Sequence, residues 1–152
     1  MEDPREVVKQ YIERSHGGLV GYAKEPLAEL LWDAEAQGSG DAFQFANECE
    51  THTRDGLLAV FEYWAAIVEQ REGCNGVEIE HILLGDSVAS AAWKTSYRTK
   101  KGAEYFGEDV SERQVNGFQV LALFDLVSKG GRWYIGRVKQ RSDSARRHLL
   151  GQ

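Results

Sequence analysis

The sequence has few of the features that are typical of disulfide-bonded, membrane-spanning or secreted proteins. Its 152 residues include two cysteines, two prolines and one methionine, and Cys49 and Cys74 form no CxxC pair. Two widely spaced cysteines are typical of a reduced intracellular protein, so we expect no disulfide and a cytoplasmic location. Apolar runs are too short to cross a membrane, and residues 1–18 are too charged for a signal peptide.

Motifs for metal, nucleotide or covalent chemistry are also lacking. The sequence contains no HExxH zinc motif, no glycine-rich phosphate loop and no GxSxG nucleophile elbow. Glu48, Glu50 and His52 alternate, but they stand directly before a helix cap, and local capping explains them better than a metal site does. We therefore predict no bound metal and no cofactor.

Positive charge is scarce in the first half of the chain. Residues 1–86 have a net charge of −12, residues 87–152 have +6, and the total is −6. A net negative chain matches the phosphate backbone poorly, so no nucleic-acid partner is expected. The basic tail, residues 141–152, is interpreted as a solvated strand end and a short helical turn anchored by Leu149 and Leu150, rather than as an anion-binding patch.

The strongest structural signal lies in residues 114–139. Two apolar segments there are separated by Ser128, Lys129, Gly130 and Gly131, a short polar turn that joins strands antiparallel. The first strand is apolar on both faces near its middle, so other elements must cover it. Asp125 is expected to pair with Arg137 across this hairpin. The length predicts one domain over residues 1–152, with a core of about residues 4–140.

Helical patterns come before the strands. Asp3 and Pro4 begin a first helix that buries Tyr11 and ends at Gly17 and Gly18, and residues 26–32 form a second, shorter helix. Thr53 caps a long helix that runs to about residue 70. Between these helices we predict a short hairpin that pairs residues 34–37 with residues 42–45.

Strand periodicity begins at Val77. Alternation places His81 on the same face as Val77 and Ile79. A second strand over residues 88–98 places Trp93 and Tyr97 together on one face, and a polar connection over residues 99–113 leads to the closing hairpin.

The order of two helices, a short hairpin, a long helix and a curved sheet resembles the nuclear transport factor 2-like superfamily, most closely its SnoaL-like and ketosteroid-isomerase-like branches. The resemblance rests on residues 7–13, 30–34, 53–61 and 130–135 and spans most of the chain. It implies an α+β fold in which a cone-shaped antiparallel sheet wraps a long helix and opens on an apolar ligand. It also implies a homodimer through the outer face of the sheet. The fold hosts many reactions, so it does not name one.

Family patterns suggest two catalytic candidates. Tyr11 matches the position of an oxyanion-stabilising tyrosine in ketosteroid isomerases, but Gly38 and Val120 replace that family's two acidic groups, so this activity is not expected. His81 matches a pocket histidine of scytalone dehydratase, whose second histidine is missing here. Each residue has a plainer interpretation: a core tyrosine bonded to a neighbour, and a histidine satisfied within the core.

Two functions remain open from the sequence. In the first, the protein binds an apolar, ring-containing molecule, and any catalysis is cofactor-free acid–base chemistry with His81 as proton acceptor and Tyr11 as hydrogen-bond donor, as in an isomerase, dehydratase or cyclase. In the second, it is a non-catalytic ligand-binding or dimerisation module. The predicted pocket is lined by aromatic and apolar residues: Trp32, Phe61, Trp64, Trp93, Tyr97, Phe118, Val120 and Ala122.

Overall fold

The structure, a computed structural model, describes residues 3–15, 24–71 and 73–151. The helices are α1 (Pro4–Ser15), α2 (Lys24–Ala28), α3 (Ala34–Gln37), α4 (Arg54–Ile67) and α5 (Ala145–Leu150). The strands are β1 (Gln44–Ala46), β2 (Thr51–His52), β3 (Gly76–Leu84), β4 (Val88–Arg98), β5 (Glu104–Tyr105), β6 (Glu108–Asp109), β7 (Gln114–Lys129) and β8 (Arg132–Ser142). Within the described ranges, no helix is long and apolar enough to span a membrane.

Six strands form one sheet in the order β2-β1-β8-β7-β4-β3. All neighbours run antiparallel except β1 and β8, which pair in parallel. The remaining strands, β5 and β6, form a separate two-stranded hairpin. The predicted α+β class, with helices first and a mainly antiparallel sheet after them, is confirmed.

The two faces of this sheet differ sharply in exposure. We call inner the face that carries a buried row on β4, β7 and β8, which includes Trp93, Val120, Ala122, Phe124 and Val138. Buried stripes of α1 and α4 belong to the same core cluster: Val7, Val8, Tyr11, Ile12, Leu57, Leu58 and Phe61. The opposite, outer face carries the exposed residues that alternate with this row, so β7 has one buried and one exposed side along most of its length.

Several local features follow the sequence closely. The Thr53 side chain accepts from Gly56 N at 3.1 Å and caps α4, and β4 covers the predicted residues 88–98. Gly130 and Gly131 make a two-residue turn with φ of +62° and +78°, between the paired Lys129 and Arg132. Positive φ at both positions suits glycine and matches the twist of the hairpin.

Other features differ from the sequence-based expectation. The predicted hairpin of residues 34–45 is wrong, because Asp33 accepts from Ala36 N and caps α3 instead. Only residues 44–46 form a strand there, and they pair with β8. The predicted second helix is shorter, since Leu31 bridges to Ile135 in parallel. The predicted end of α1 at Gly17 and Gly18 lies outside the described residues.

Candidate functional site

Tyr11 lies at the centre of the inner-face core. Its place on α1, one turn after Val7 and Val8, puts it on the buried stripe of the helix. The ring is fully buried and contacts Phe61 of α4 and Phe124 of β7 edge-on, with centroids 6.3 and 5.5 Å away. Tyr11 therefore packs the first helix against both the long helix and the middle of the sheet.

The hydroxyl of Tyr11 is the unusual part of this arrangement. It is buried and has no hydrogen-bond partner among the described residues. Burial raises the pKa of the phenol well above its ordinary value of 10.0, because the charged phenolate would be desolvated. The group therefore stays neutral at physiological pH and keeps its O–H available as a donor.

Buried tyrosines make stability fall at alkaline pH. Burial raises the pKa of Tyr11 and Tyr97 in the folded state, while both groups titrate near 10 when unfolded. Their contribution is complete below pH 10 and is lost above it, at about 1.4 kcal/mol per pH unit for each group. We expect Tyr11→Phe to remove the contribution of one tyrosine to the fall of unfolding free energy with pH. Urea unfolding of the wild type and the variant at pH 8 to 11 measures this dependence. Equal slopes of unfolding free energy against pH would contradict the burial of the Tyr11 phenol.

His81 does not join Tyr11. On β3, Ile79 pairs with Trp93 but His81 pairs with the adjacent Ala92, so a β-bulge inserts Glu80 between them. Neighbouring residues on β4 point to opposite faces, which places His81 on the opposite face from Ile79. The His81 side chain is exposed on the outer face. The prediction that His81 and Tyr11 converge on one pocket is therefore not met.

His81 instead borders a groove on the outer face with a volume of about 610 Å³. Leu121 and Leu123 of β7 lie in it, and Lys139 and Arg141 of β8 stand beside them in register. The groove also borders Ala46, Asn47, Glu48 and Ser90, together with three residues at inward-facing strand positions: Ala91, Ala122 and Gln140. The groove is an apolar strip with a basic border, open to solvent.

Most of the predicted pocket residues lie together on the inner side. The core cluster contains Phe61, Trp93, Tyr97, Phe118, Val120 and Ala122, and Trp64 packs against it. Trp32 lies apart. Its neighbour Leu31 joins the core, while the Trp32 ring contacts Tyr134 at 5.4 Å and Gly40. Leu31 forms a strand-like bridge to Ile135 where a helix was expected, and the Trp32 ring lies outside the core cluster.

One inner-face polar residue was missed by sequence reasoning. Gln140 pairs with the buried Ala122, and it alternates on β8 with the exposed Lys139 and Arg141. Its Oε1 is buried and has no partner in the part of the chain that the structure describes. The signal was available in the alternation of β8, because Val138 predicts that residue 140 also points inward.

Charged groups are scarce in this interior. The buried polar residues in the described ranges are Ser15, Thr95 and Thr99. Three or more metal-ligating side chains do not come together anywhere in those ranges. The inner site is therefore mainly apolar, and the Tyr11 hydroxyl and Gln140 Oε1 have no hydrogen-bond partner among the described residues. His148, on α5, contacts the Phe118 ring at the border of this site, with centroids 5.3 Å apart, and its Nε2 lies 3.3 Å from Asp143 Oδ2.

No family model and no curated protein matches the sequence, but solved structures do. TsrD from Streptomyces laurentii is 15% identical over 100% of both chains, with a TM-score of 0.67. A protein of ketosteroid isomerase-like fold from Catenulispora acidiphila DSM 44928, in complex with trimethylamine, is 13% identical with a TM-score of 0.62, over 99% of this chain and 93% of that one. A protein from Jannaschia sp. CCS1, provisionally assigned as a SnoaL-like polyketide cyclase, is 12% identical with a TM-score of 0.61, over 100% and 98%.

At these identities the similarity concerns the fold alone. It extends over nearly the full length of each chain, from the N-terminal helices to the closing hairpin. The chain therefore has the nuclear transport factor 2-like fold, in the form found in SnoaL-like and ketosteroid isomerase-like proteins.

Proposed function

We propose that this protein binds a small, apolar, ring-containing molecule against the inner face, with the Tyr11 hydroxyl donating a hydrogen bond to an oxygen of that molecule. The observation that carries the proposal is the buried hydroxyl with no partner among the described residues. Leaving a polar group in that state costs roughly 1–3 kcal/mol. Phenylalanine would fill the same space without that cost. A hydrogen bond to a ligand oxygen would satisfy the hydroxyl and explain why the residue is a tyrosine.

The surroundings of Tyr11 suit such a ligand. Phe61 and Phe124 contact the Tyr11 ring, and Trp93 belongs to the same core cluster. Aromatic surface with few polar groups is the usual composition of a small-molecule site. Among the proteins of similar fold, one is in complex with trimethylamine and another is provisionally assigned as a polyketide cyclase. Both descriptions concern small organic molecules.

Binding is favoured over turnover. An acid–base reaction needs a proton acceptor within hydrogen-bond reach of the reacting atom. His81, the predicted acceptor, lies on the outer face, and the buried polar residues of the described ranges are hydroxyl-bearing. Tyr11 alone can orient and polarise an oxygen but cannot remove a proton at neutral pH, because burial raises its pKa.

Tyr11→Phe tests the proposal with 2-naphthol as the probe, a fused ring bearing one oxygen. We expect wild-type protein to bind 2-naphthol in isothermal titration calorimetry and the variant to bind about tenfold more weakly, the value of one hydrogen bond. The same substitution is expected to leave the free energy of unfolding unchanged or raise it by about 1 kcal/mol, since it removes an unsatisfied group.

The matched control is Tyr134→Phe. Tyr134 is a half-buried tyrosine whose ring contacts Trp32 and Arg132, away from the core. This variant should bind 2-naphthol as the wild type does. Absence of binding to the wild type would instead support a non-catalytic module with a filled core. A Tyr11→Phe variant that is clearly less stable would show that the hydroxyl has a structural partner.

We propose a second copy of this chain as the partner of the outer face. Its exposed side chains on β3, β4 and β7 form a row of large apolar residues: Leu83, Val88, Leu121 and Leu123. A contiguous exposed apolar surface with a polar rim is typical of an interface. Basic residues on β8 and acidic residues on β3 favour a homodimer in which the two strands of different copies meet.

A further inference from the structure

The inner face carries a second buried polar atom besides the hydroxyl of Tyr11. Gln140 Oε1 is shielded from solvent and has no hydrogen-bond partner in the described ranges. Buried side-chain amides are normally satisfied, and each exception calls for an explanation. Two such atoms on the same side of one sheet suggest a common partner.

Strand register relates the two atoms. Gln140 pairs with Ala122 on β7, and Phe124, which contacts the Tyr11 ring, is the next inward residue on that strand. Successive inward residues of a strand are roughly 6–7 Å apart. Gln140 and Tyr11 therefore border neighbouring rows of the inner face, a separation comparable with the length of a fused two-ring molecule.

Small side chains lie on the sheet between them. Ala122 pairs with Ala91 on β4, and Ala89 is the next inward residue of that strand, so three alanines occupy adjacent inner positions. Strands usually place β-branched or aromatic residues at buried central positions. Because alanine side chains are short, they leave space above this part of the sheet, between the Trp93 and Phe124 rings.

We infer that Gln140 is the second polar contact of the ligand, accepting a hydrogen bond through Oε1 from a hydroxyl or N–H group. The inference rests on the proposed ligand site at Tyr11 and narrows its chemistry. The ligand presents an acceptor oxygen to Tyr11 and a donor to Gln140, with an apolar ring system over the alanines. A hydroxylated aromatic compound or a hydroxylated ring ketone has this pattern.

Dihydroxynaphthalenes test the inference against 2-naphthol, because they add one hydroxyl to the same ring system. We expect at least one positional isomer to bind the wild type about tenfold more tightly than 2-naphthol in calorimetry, as one further hydrogen bond allows. In Gln140→Met, a nearly isosteric apolar variant, this advantage should fall to about twofold or less, while the affinity for 2-naphthol stays unchanged.

The matched control is Gln119→Met, on the neighbouring strand. The Gln119 amide donates to Glu80 across the outer face at 3.2 Å, so this variant should keep the full advantage of the second hydroxyl. Thermal unfolding of both variants confirms their folding. Replacing an unsatisfied buried amide by an apolar isostere is close to neutral for stability.

Two results would overturn the inference while leaving the proposed function intact. In one, 2-naphthol binds in a Tyr11-dependent manner but no isomer gains affinity from its second hydroxyl. In the other, an isomer gains affinity and keeps the gain in Gln140→Met. Failure of 2-naphthol itself to bind, or binding that Tyr11→Phe does not weaken, would overturn the proposed function and this inference with it.

Discussion

Replacing Leu121 by aspartate is expected to convert the proposed homodimer into a monomer. Leu121 and Leu123 are 50% and 59% exposed in the middle of the outer face. Burying a leucine stabilises an interface by about 1.5 kcal/mol or more, and a two-fold interface contains each residue twice. The loss of about 3 kcal/mol weakens association more than 100-fold, and the added carboxylates, brought close in the dimer, weaken it further.

The charge pattern of the outer face indicates how two copies would pack. Lys139 and Arg141 on β8 have no ion-pair partner in the described part of the chain, and Glu78 and Glu80 lie on the edge strand β3, on the other side of β7 and β4. A two-fold axis parallel to the strands and between β7 and β4 places β8 of each copy over β3 of the other. Opposite charges then meet. An axis perpendicular to the strands would place like charges together.

Sedimentation velocity over a range of protein concentrations measures the effect. Phe106→Asp is the matched control, because Phe106 is 72% exposed but lies on the turn between β5 and β6. It should sediment as the wild type does. Lys139→Glu should weaken association, and adding Glu80→Lys should restore part of it. A monomeric wild type, or a Leu121→Asp variant that stays dimeric, would contradict the proposed interface.

Features set by local chemistry could be predicted from the sequence. A capping threonine before an apolar helix, two glycines between strands and the strand-like pattern of residues 88–98 each fix their structure within a few residues. The ion pair of Asp125 and Arg137, at 3.8 Å, also follows from the register of a tight hairpin. Those contacts need no knowledge of distant parts of the chain.

Features that depend on pairing between distant segments were missed. The hairpin expected for residues 34–45 does not form, since Asp33 caps a helical turn and β1 pairs with β8, about ninety residues later. No local sequence pattern predicts that two strands so far apart in the chain will pair in parallel. The same applies to Trp32, whose backbone N–H donates to Ile135 O on β8 where a helical turn was expected.

The placement of His81 illustrates a signal that was present but not used. Glu80 and His81 are consecutive polar residues that interrupt the alternation of residues 77–80, and such a pair is consistent with a β-bulge. Strict alternation assigned His81 to the wrong face. A single inserted residue therefore places the predicted proton acceptor on the outer face instead of the inner one.

Phe124→Ala is expected to cost about 3–5 kcal/mol of unfolding free energy, the usual range for a large buried aromatic. Phe124 is 1% exposed, contacts the ring of Tyr11, and pairs across the sheet with the small Ala89. Because its neighbour on β4 is an alanine and its neighbour on β8 is Val138, the surrounding side chains cannot easily close the space that the ring leaves. A loss of this size is a large part of the stability of a small domain.

Asp125→Ala is the matched control, one residue along the same strand. Asp125 is exposed on the outer face and pairs with Arg137, so its loss should cost no more than about 1 kcal/mol. Urea unfolding of both variants must be compared at one protein concentration, because dimerisation would add to the apparent stability. A Phe124→Ala loss below about 1.5 kcal/mol would show that the ring borders space that is already open. The proposed ligand would then have room beside Phe124.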